Sequence, residues 1–202
     1  MKEEFFDRLR ERVKGYLEDG SGHCFNHVMR VYDMAVKISE GEDVDMDVVR
    51  AAALLHDVAR SKQDGGNICH AEEGAKMARE ILNEMDFPED KIDRVAHAIE
   101  VHRHSKKFKA ETYEAEVIQD ADRLDGLGAV AITRPFERGG KRGRVSYGKS
   151  DRETTLEYIK WRLLAVLPEM FNMPKAREIA TERYEFTIGF INRFEKEIGG
   201  EL

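Results

Sequence analysis

An apolar helical segment that ends in two polar residues is the feature that most restricts how this chain can fold. Residues 48–55 read VVRAAALL, and the next two residues are His56 and Asp57. At about 100° per residue, the apolar side chains cover nearly every side of the helix except at Arg50, which predicts a helix buried all round. Because an unpaired carboxylate in an apolar interior is strongly disfavoured, Asp57 needs a cation or hydrogen-bond donors there.

Apolar residues recur mostly at helical spacing in the rest of the chain, which has only four prolines. Segments such as 28–38, 75–82 and 91–102 fit a helical period better than strict alternation. Asp45 or Asp47 is placed to cap the helix that carries His56 and Asp57. Breaks are expected near 41–45, 64–67, Pro88, 106–110 and the glycine-rich segment 139–148. We therefore predict an all-α fold of about seven or eight helices, and the 202 residues suit one compact domain.

Composition and charge exclude several classes of protein. Hydrophobic residues make up 41% and charged residues 36% of the chain, and no apolar run approaches a membrane span. The first residues predict an amphipathic helix rather than a secretion signal. Two cysteines, Cys24 and Cys69, are too few for a disulfide framework, so we expect a reducing, cytoplasmic setting. The net charge of −7 argues against a stable nucleic-acid partner.

Two other predicted helices carry polar residues beside their apolar stripes. In the second predicted helix, His27 falls on the flank of the stripe. In the segment 116–125, we assign Asp122 and Asp125 to the apolar side and Asp120 to nearly the opposite side. We therefore expect Asp122 and Asp125 to face the interior and Asp120 to lie on the surface.

Together these helices would deliver imidazoles and carboxylates to a common core. A mixed nitrogen and oxygen donor set suits a divalent transition metal or Mg²⁺, and such a cation can activate water. The alternative is structural. A single histidine on a helix flank is usually a packing residue, and an aspartate near a helix end is often a cap. A helical domain whose buried polar groups only hydrogen-bond to one another therefore stays open.

The spacing of these residues and the words around them resemble the HD-domain superfamily of metal-dependent phosphohydrolases, in particular its small stand-alone bacterial and archaeal members. The matching words are HVMRV at His27, AALLHDVAR at His56 and Asp57, and IQDADRLDGLGAVAITR at Asp122. The resemblance implies a compact helical bundle over 1–202, with a core at 20–150 and terminal helices at 151–200 packing on it. It also implies one divalent metal, Mn²⁺, Mg²⁺ or another transition metal, bound by His27, His56, Asp57 and Asp122.

Two further histidines stand at positions that resemble the extra ligands of two-metal HD proteins. His70, in HAEEGAKMA, and His102, in AIEVHRHS, would bind a second metal, contact substrate phosphate or donate a proton to the leaving oxygen. We expect His97 and His104 on the surface. Related sequences often carry Gly-His-Asp before the first ligand, whereas Cys24 stands at the aspartate position here. His23, just before it, would lie at the mouth of the pocket.

The function implied is hydrolysis of a phosphoanhydride or phosphoester bond, in a nucleotide or related small phosphorylated metabolite, by a metal-activated water. Asp57, His70 and His102 would be the catalytic residues. The expected substrate-binding residues are His23, Arg60, Lys62, Arg103, Asp125, Arg134, Lys141, Arg142 and Arg144. Several belong to the basic, glycine-containing segment 134–144, interpreted as a mobile loop or as a solvated surface. A non-catalytic nucleotide-sensing module is the alternative function, and a homo-oligomer is possible.

Overall fold

The computed structural model describes residues 1–17, 24–63, 68–103, 108–151 and 153–201. Within these ranges the chain forms nine α-helices and no β-strand, which confirms the all-α prediction with more helices than expected. The helices are α1 (Glu3–Lys14), α2 (Phe25–Ile38), α3 (Met46–Leu55), α4 (His70–Glu84), α5 (Glu89–Val101), α6 (Tyr113–Leu124), α7 (Ala129–Lys141), α8 (Thr155–Leu164) and α9 (Pro174–Ile198). Short 3-10 helices span Arg60–Lys62 and Pro168–Met170.

Two compact units divide the chain, Met1–Asp122 and Arg123–Leu202. The prediction of one domain over 1–202 is not tested by this division and stays a prediction. In the parts of the chain that the structure describes, none of the helices combines the length and the apolar character that crossing a membrane requires.

Helix α3 lies at the centre of the first unit, as its sequence predicts. It begins at the cap residue Asp45, whose side chain accepts a hydrogen bond from the backbone nitrogen of Asp47 at 3.0 Å. Its apolar side chains from Val48 to Leu55 are fully buried, and the helix packs against α1, α2 and α5. The exception, Arg50, lies at the margin. Its guanidinium covers the ring of Phe6 at 3.8 Å and donates to the hydroxyl of Tyr32 at 2.5 Å.

Helix α6 is buried on more sides than its apolar stripe suggests. Glu114 accepts hydrogen bonds from the Asp45 backbone at 2.9 Å and from Arg94 at 2.5 Å. Asp120 is fully buried, so the prediction of a surface position is wrong. The physical reason is helical geometry. Residues four apart lie only about 40° apart around the axis, so Asp120 shares a face with the buried Leu124.

The second unit contains α7, α8 and α9, which pack against one another. The basic segment 134–144, interpreted as a loop, is helical as far as Lys141, so that interpretation is wrong. One of its glycines serves close packing. A Cβ on the buried Gly139 would lie 2.6 Å from the Thr155 hydroxyl, closer than real contacts allow. Tertiary packing has therefore overridden the local preference of glycine for irregular structure.

Candidate metal centre

His56 and Asp57 directly follow the last residue of α3, where the helix ends inside the first unit. The side chains of both are buried, with exposed fractions of 0% and 2%. His56 Nδ1 lies 2.8 Å from the carbonyl oxygen of Ala53, one of the last carbonyls of the helix, which lack partners within it. A hydrogen on Nδ1 satisfies that carbonyl. The lone pair of Nε2 then points away from the helix.

Helix α2 brings His27 to this lone pair. His27 Nε2 lies 3.2 Å from His56 Nε2 and 3.5 Å from Asp57 Oδ2, and His56 Nε2 lies 3.7 Å from the same oxygen. The potential ligand atoms of these three buried residues all lie within 4.8 Å of one another. We refer to His27, His56 and Asp57 as the first donor group.

Asp122, on α6, lies at the edge of the first donor group. Its Oδ1 is 3.4 Å from His27 Nε2, and its side chain is 27% exposed, in contrast to the fully buried Asp120. Burial alone would raise the pKa of Asp122, but the hydrogen bond with His27 and the proximity of His56 and His102 outweigh it, so the pKa lies below its usual range. Asp122 is therefore a carboxylate at neutral pH.

A second donor group, consisting of Asp57, His70 and His102, lies on the other side of the Asp57 carboxylate. Asp57 Oδ1 is 3.4 Å from His70 Nε2 and 3.9 Å from His102 Nε2, and the ligand atoms of the three residues again lie within 4.8 Å of one another. His102 follows the end of α5, and its Nδ1 lies 2.5 Å from the carbonyl oxygen of Ile99. Asp57 thus directs one oxygen to each pair of histidines.

The histidines of the second group are neutral at ordinary pH. Burial, against the attraction of Asp57 and with the nearby His102, Arg60 and Arg103, lowers the pKa of His70 to about 3. Burial, followed by the proximity of His56, also lowers the pKa of His102. A neutral imidazole has a free lone pair on one nitrogen, which is the form that binds a metal.

The donor chemistry of both groups fits a divalent cation. As a carboxylate, Asp57 can only accept hydrogen bonds. His56 and His102 direct unprotonated nitrogens toward it when their Nδ1 hydrogens bond the backbone carbonyls. The members of each group therefore offer one another more lone pairs than hydrogens. Imidazole ligands whose second nitrogen bonds a carbonyl are typical of metal sites. Mixed imidazole and carboxylate sets suit transition metals and, for the oxygens, Mg²⁺.

Of the basic residues predicted to bind substrate, two lie beside the second donor group. Arg60 Nη1 is 2.9 Å and 3.2 Å from the two ring nitrogens of His70. Arg103 adjoins His102, and its Nη1 lies 3.5 Å from the sulfur of Cys69, the residue before His70. These two arginines are therefore placed next to the candidate ligands.

The other predicted substrate residues are placed differently. Lys62 pairs with Glu73 at 3.0 Å. Arg134 pairs with the buried Asp125 at 2.8 Å, so each neutralises the other within the second unit. Within the basic segment Lys141 pairs with Glu137. Arg144 pairs with Glu153, outside the segment, and Arg142 is exposed. Two histidines, His23 at the expected pocket mouth and His104 on the expected surface, lie outside the described residues. His97, also expected on the surface, is half-buried and accepts a hydrogen bond from the Glu111 backbone at 3.3 Å.

One residue of the site was not found from the sequence. Gln63 Oε1 lies 2.5 Å from His70 Nδ1. A glutamine that follows a basic stretch and precedes two glycines belongs to no helical stripe and to no recognisable motif, so nothing in the sequence distinguishes it from a surface residue.

The low pKa of His70 predicts how stability depends on pH in the metal-free protein. The unfolded chain takes up a proton on this histidine near its ordinary pKa of 6.5, whereas the folded protein does so only near 3. The unfolded state therefore binds more protons within this window, and the free energy of unfolding rises with pH. This contribution is complete above pH 6.5 and is lost as the pH falls toward 3, at up to about 1.4 kcal/mol per pH unit for one proton.

Urea unfolding of EDTA-treated protein across this window measures the slope. Replacing His70 with glutamine is expected to reduce it, and replacing His97 with glutamine is the control that leaves it in place. A slope that is the same in wild type and the His70→Gln variant would contradict the assignment.

An all-α fold with two buried histidine and aspartate groups on a shared carboxylate defines a class of helical protein suited to hold divalent cations. Residues 24–127 match the family model described as the HD domain. The YpgQ protein of Bacillus subtilis is 35% identical over 96% of this chain and 94% of its own length. The chain therefore belongs to the HD-domain family.

Solved structures agree with this membership. An HD-superfamily hydrolase from Bacillus thuringiensis is similar with a TM-score of 0.79 and 32% identity, over 98% of this chain and 99% of that one. Bacillus subtilis YpgQ in complex with ADP is similar with a TM-score of 0.76 and 34% identity, over 96% of this chain and 98% of that one. The similarity spans nearly the whole of each protein.

Proposed function

We propose that this protein is a metal-dependent phosphohydrolase that cleaves a phosphoanhydride or phosphoester bond of a nucleotide. The observation that carries the proposal is the position of Asp57, whose two oxygens each face a pair of buried histidines. Family membership supports a hydrolase, and the ADP bound to the similar YpgQ supports a nucleotide. A small phosphorylated metabolite of another kind would present the same phosphate groups.

The first donor group, with Asp122 at its edge, would hold one divalent cation, and the second would hold another. When bound, such cations stabilise charge on phosphoryl oxygens and activate water for attack. The protein supplies the rest. Backbone carbonyls fix His56 and His102 with one nitrogen free, and Asp57 joins the two groups. Because these side chains are already held in place, little reorganisation is needed when the substrate binds.

Arg60 and Arg103 would bind the phosphates of the substrate. Both flank the second donor group, and an arginine guanidinium matches the oxygens of a phosphate with paired hydrogen bonds. Lys62 and the basic residues of the second unit have acidic partners or lie exposed. They are weaker candidates for this role.

The test is hydrolysis of a panel of nucleoside mono-, di- and triphosphates with Mn²⁺, Mg²⁺ or EDTA, with products separated by chromatography. We expect turnover of at least one nucleotide that depends on the metal and ceases with EDTA. Nucleotide binding without product under every metal would refute the hydrolase and support the nucleotide-sensing alternative. Absence of metal binding would support a purely structural role for the buried groups.

A cytoplasmic location and a homo-oligomeric state stay predictions. Among the residues that the structure describes, neither Cys24 nor Cys69 forms a disulfide, which fits a reducing compartment.

A further inference from the structure

His70 is held differently from the two histidines whose ring nitrogens bond backbone carbonyls. His56 and His102 follow the C-terminal ends of α3 and α5, where unpaired carbonyls are at hand. His70 is the first residue of α4. The unpaired backbone groups at that end of a helix are N–H donors, so α4 offers no carbonyl for the ring of His70. An acceptor has to come from elsewhere.

The acceptor is the side chain of Gln63, beside the end of the short 3-10 helix. Gln63 Oε1 lies 2.5 Å from His70 Nδ1, and on the far side of the ring His70 Nε2 lies 3.4 Å from Asp57 Oδ1. Arg60 Nη1 lies 2.9 Å from Nδ1 and 3.2 Å from Nε2, almost equally close to both ring nitrogens, so this contact does not select a tautomer. An amide oxygen can only accept, so its short distance to Nδ1 places the hydrogen on Nδ1. The lone pair of Nε2 then faces the carboxylate, as a metal ligand requires. The opposite tautomer would donate a hydrogen to Asp57 and could not bind a cation through Nε2.

Arg60 decides which end of the Gln63 amide faces the ring. Its Nη1 lies 3.1 Å from the same Oε1 atom. A guanidinium only donates hydrogen bonds, so the atom that it contacts must be the oxygen and not the amide nitrogen. The two lone pairs of that oxygen can accept from Arg60 and from His70 together. Arg60 therefore orients Gln63, and Gln63 orients His70.

We infer that Gln63 is a positioning residue that holds His70 with its Nε2 lone pair free for a cation, in a chain of contacts running from Arg60 to Gln63 to His70. The role given to the cation rests on the proposed function. The chain of contacts itself is a property of the metal-free protein, and it can be tested without any metal or substrate.

The first experiment measures histidine tautomers by nitrogen NMR in EDTA-treated, ¹⁵N-labelled protein. We expect His70 of the wild type to carry its hydrogen on Nδ1. Gln63→Leu should move His70 toward a mixture of tautomers, while Gln63→Glu, which keeps an acceptor oxygen, should retain the Nδ1 form. His56 and His102 are internal controls, because backbone carbonyls hold them in every variant.

The second experiment is calorimetric titration with Mn²⁺. We expect Gln63→Leu to weaken one of two binding events by about 10- to 100-fold and to leave the other unchanged, as loss of a partner to a metal-binding histidine does elsewhere. Gln63→Glu should keep both events.

The two proposals fail in different ways. A wild-type His70 with its hydrogen on Nε2, or a His70 tautomer that does not respond to Gln63→Leu, would overturn the role of Gln63 whatever the enzyme does. If the wild type and Gln63→Glu show the Nδ1 form and Gln63→Leu shows a mixture, but Mn²⁺ does not bind, the metal centre is refuted while the role of Gln63 in positioning His70 stands.

Discussion

Replacing Asp57 with asparagine is expected to lower turnover of the best nucleotide substrate by roughly 10³-fold or more. A bound cation stabilises the transition state by several kcal/mol, and each loss of about 1.4 kcal/mol slows the reaction tenfold. The reason is that Asp57 belongs to both donor groups. Oδ2 faces His27 and His56, and Oδ1 faces His70 and His102. Loss of one carboxylate charge therefore weakens both cation sites at once, which no other residue of the two groups can do.

The same change should separate metal binding from folding. Wild-type protein with Mn²⁺ at about 100 times its dissociation constant is expected to gain about 2.7 kcal/mol in unfolding free energy for each cation bound, relative to EDTA-treated protein. Asp57→Asn should lose this gain and still fold without metal, because the change removes a buried negative charge that faces nitrogen lone pairs. Urea unfolding with and without Mn²⁺ measures the gain.

Asp93→Asn is the matched control for this experiment. Asp93 is an 86% exposed carboxylate on α5 that pairs with Arg79 on the surface. Its replacement is expected to leave turnover and stabilisation by Mn²⁺ unchanged. Turnover of Asp57→Asn close to that of Asp93→Asn would refute the shared carboxylate as the centre of the site.

Changing Asp122 to asparagine is expected to reduce turnover, whereas changing Asp120 to asparagine is expected to reduce stability. Asp122→Asn should reduce turnover by at least about 100-fold, since its oxygen lies 3.4 Å from His27 Nε2 at the edge of the first donor group. Because its side chain is 27% exposed, the metal-free protein should keep most of its stability. Asp120 is fully buried and has interaction partners. Asp120→Asn should therefore lower the unfolding free energy by about 1–3 kcal/mol.

Turnover per folded molecule, combined with urea unfolding, separates these outcomes. The Asp120→Asn protein that remains folded should still bind Mn²⁺ and turn over substrate. If Asp120→Asn abolished Mn²⁺ binding without loss of stability, Asp120 and not Asp122 would belong to the metal centre.

The sequence predicts correctly the features that depend on apolar side chains recurring at helical spacing. The apolar run of α3 is buried as predicted, Asp45 caps it, and the helices on either side follow the apolar periodicity. The resemblance to the HD-domain superfamily implies His27, His56, Asp57 and Asp122 as ligands, and the structure brings these four side chains together. A local pattern is sufficient here because the residues of one helix face are fixed by its geometry.

Local patterns were insufficient where several elements decide. Asp120 is a different case, because the helix face that it shares with the buried Leu124 follows from helical geometry, and its assignment to the surface was wrong. The glycines of 134–144 favour a loop, yet Gly139 lies in a helix, where the hydroxyl of Thr155 leaves no room for a Cβ. Arg134 and Asp125 were both expected to bind substrate, but they form a salt bridge with each other.

The sequence by itself predicted the all-α class from its apolar periodicity, and the resemblance of its motifs to the HD-domain superfamily implied the family and the candidate ligands. Only the tertiary structure decided that Asp57 gives one oxygen to each pair of histidines and that Gln63 is the acceptor for His70. Those relations join the ends of different helices. They depend on where each helix stops and on which atoms then meet, and spacing along one chain does not encode either.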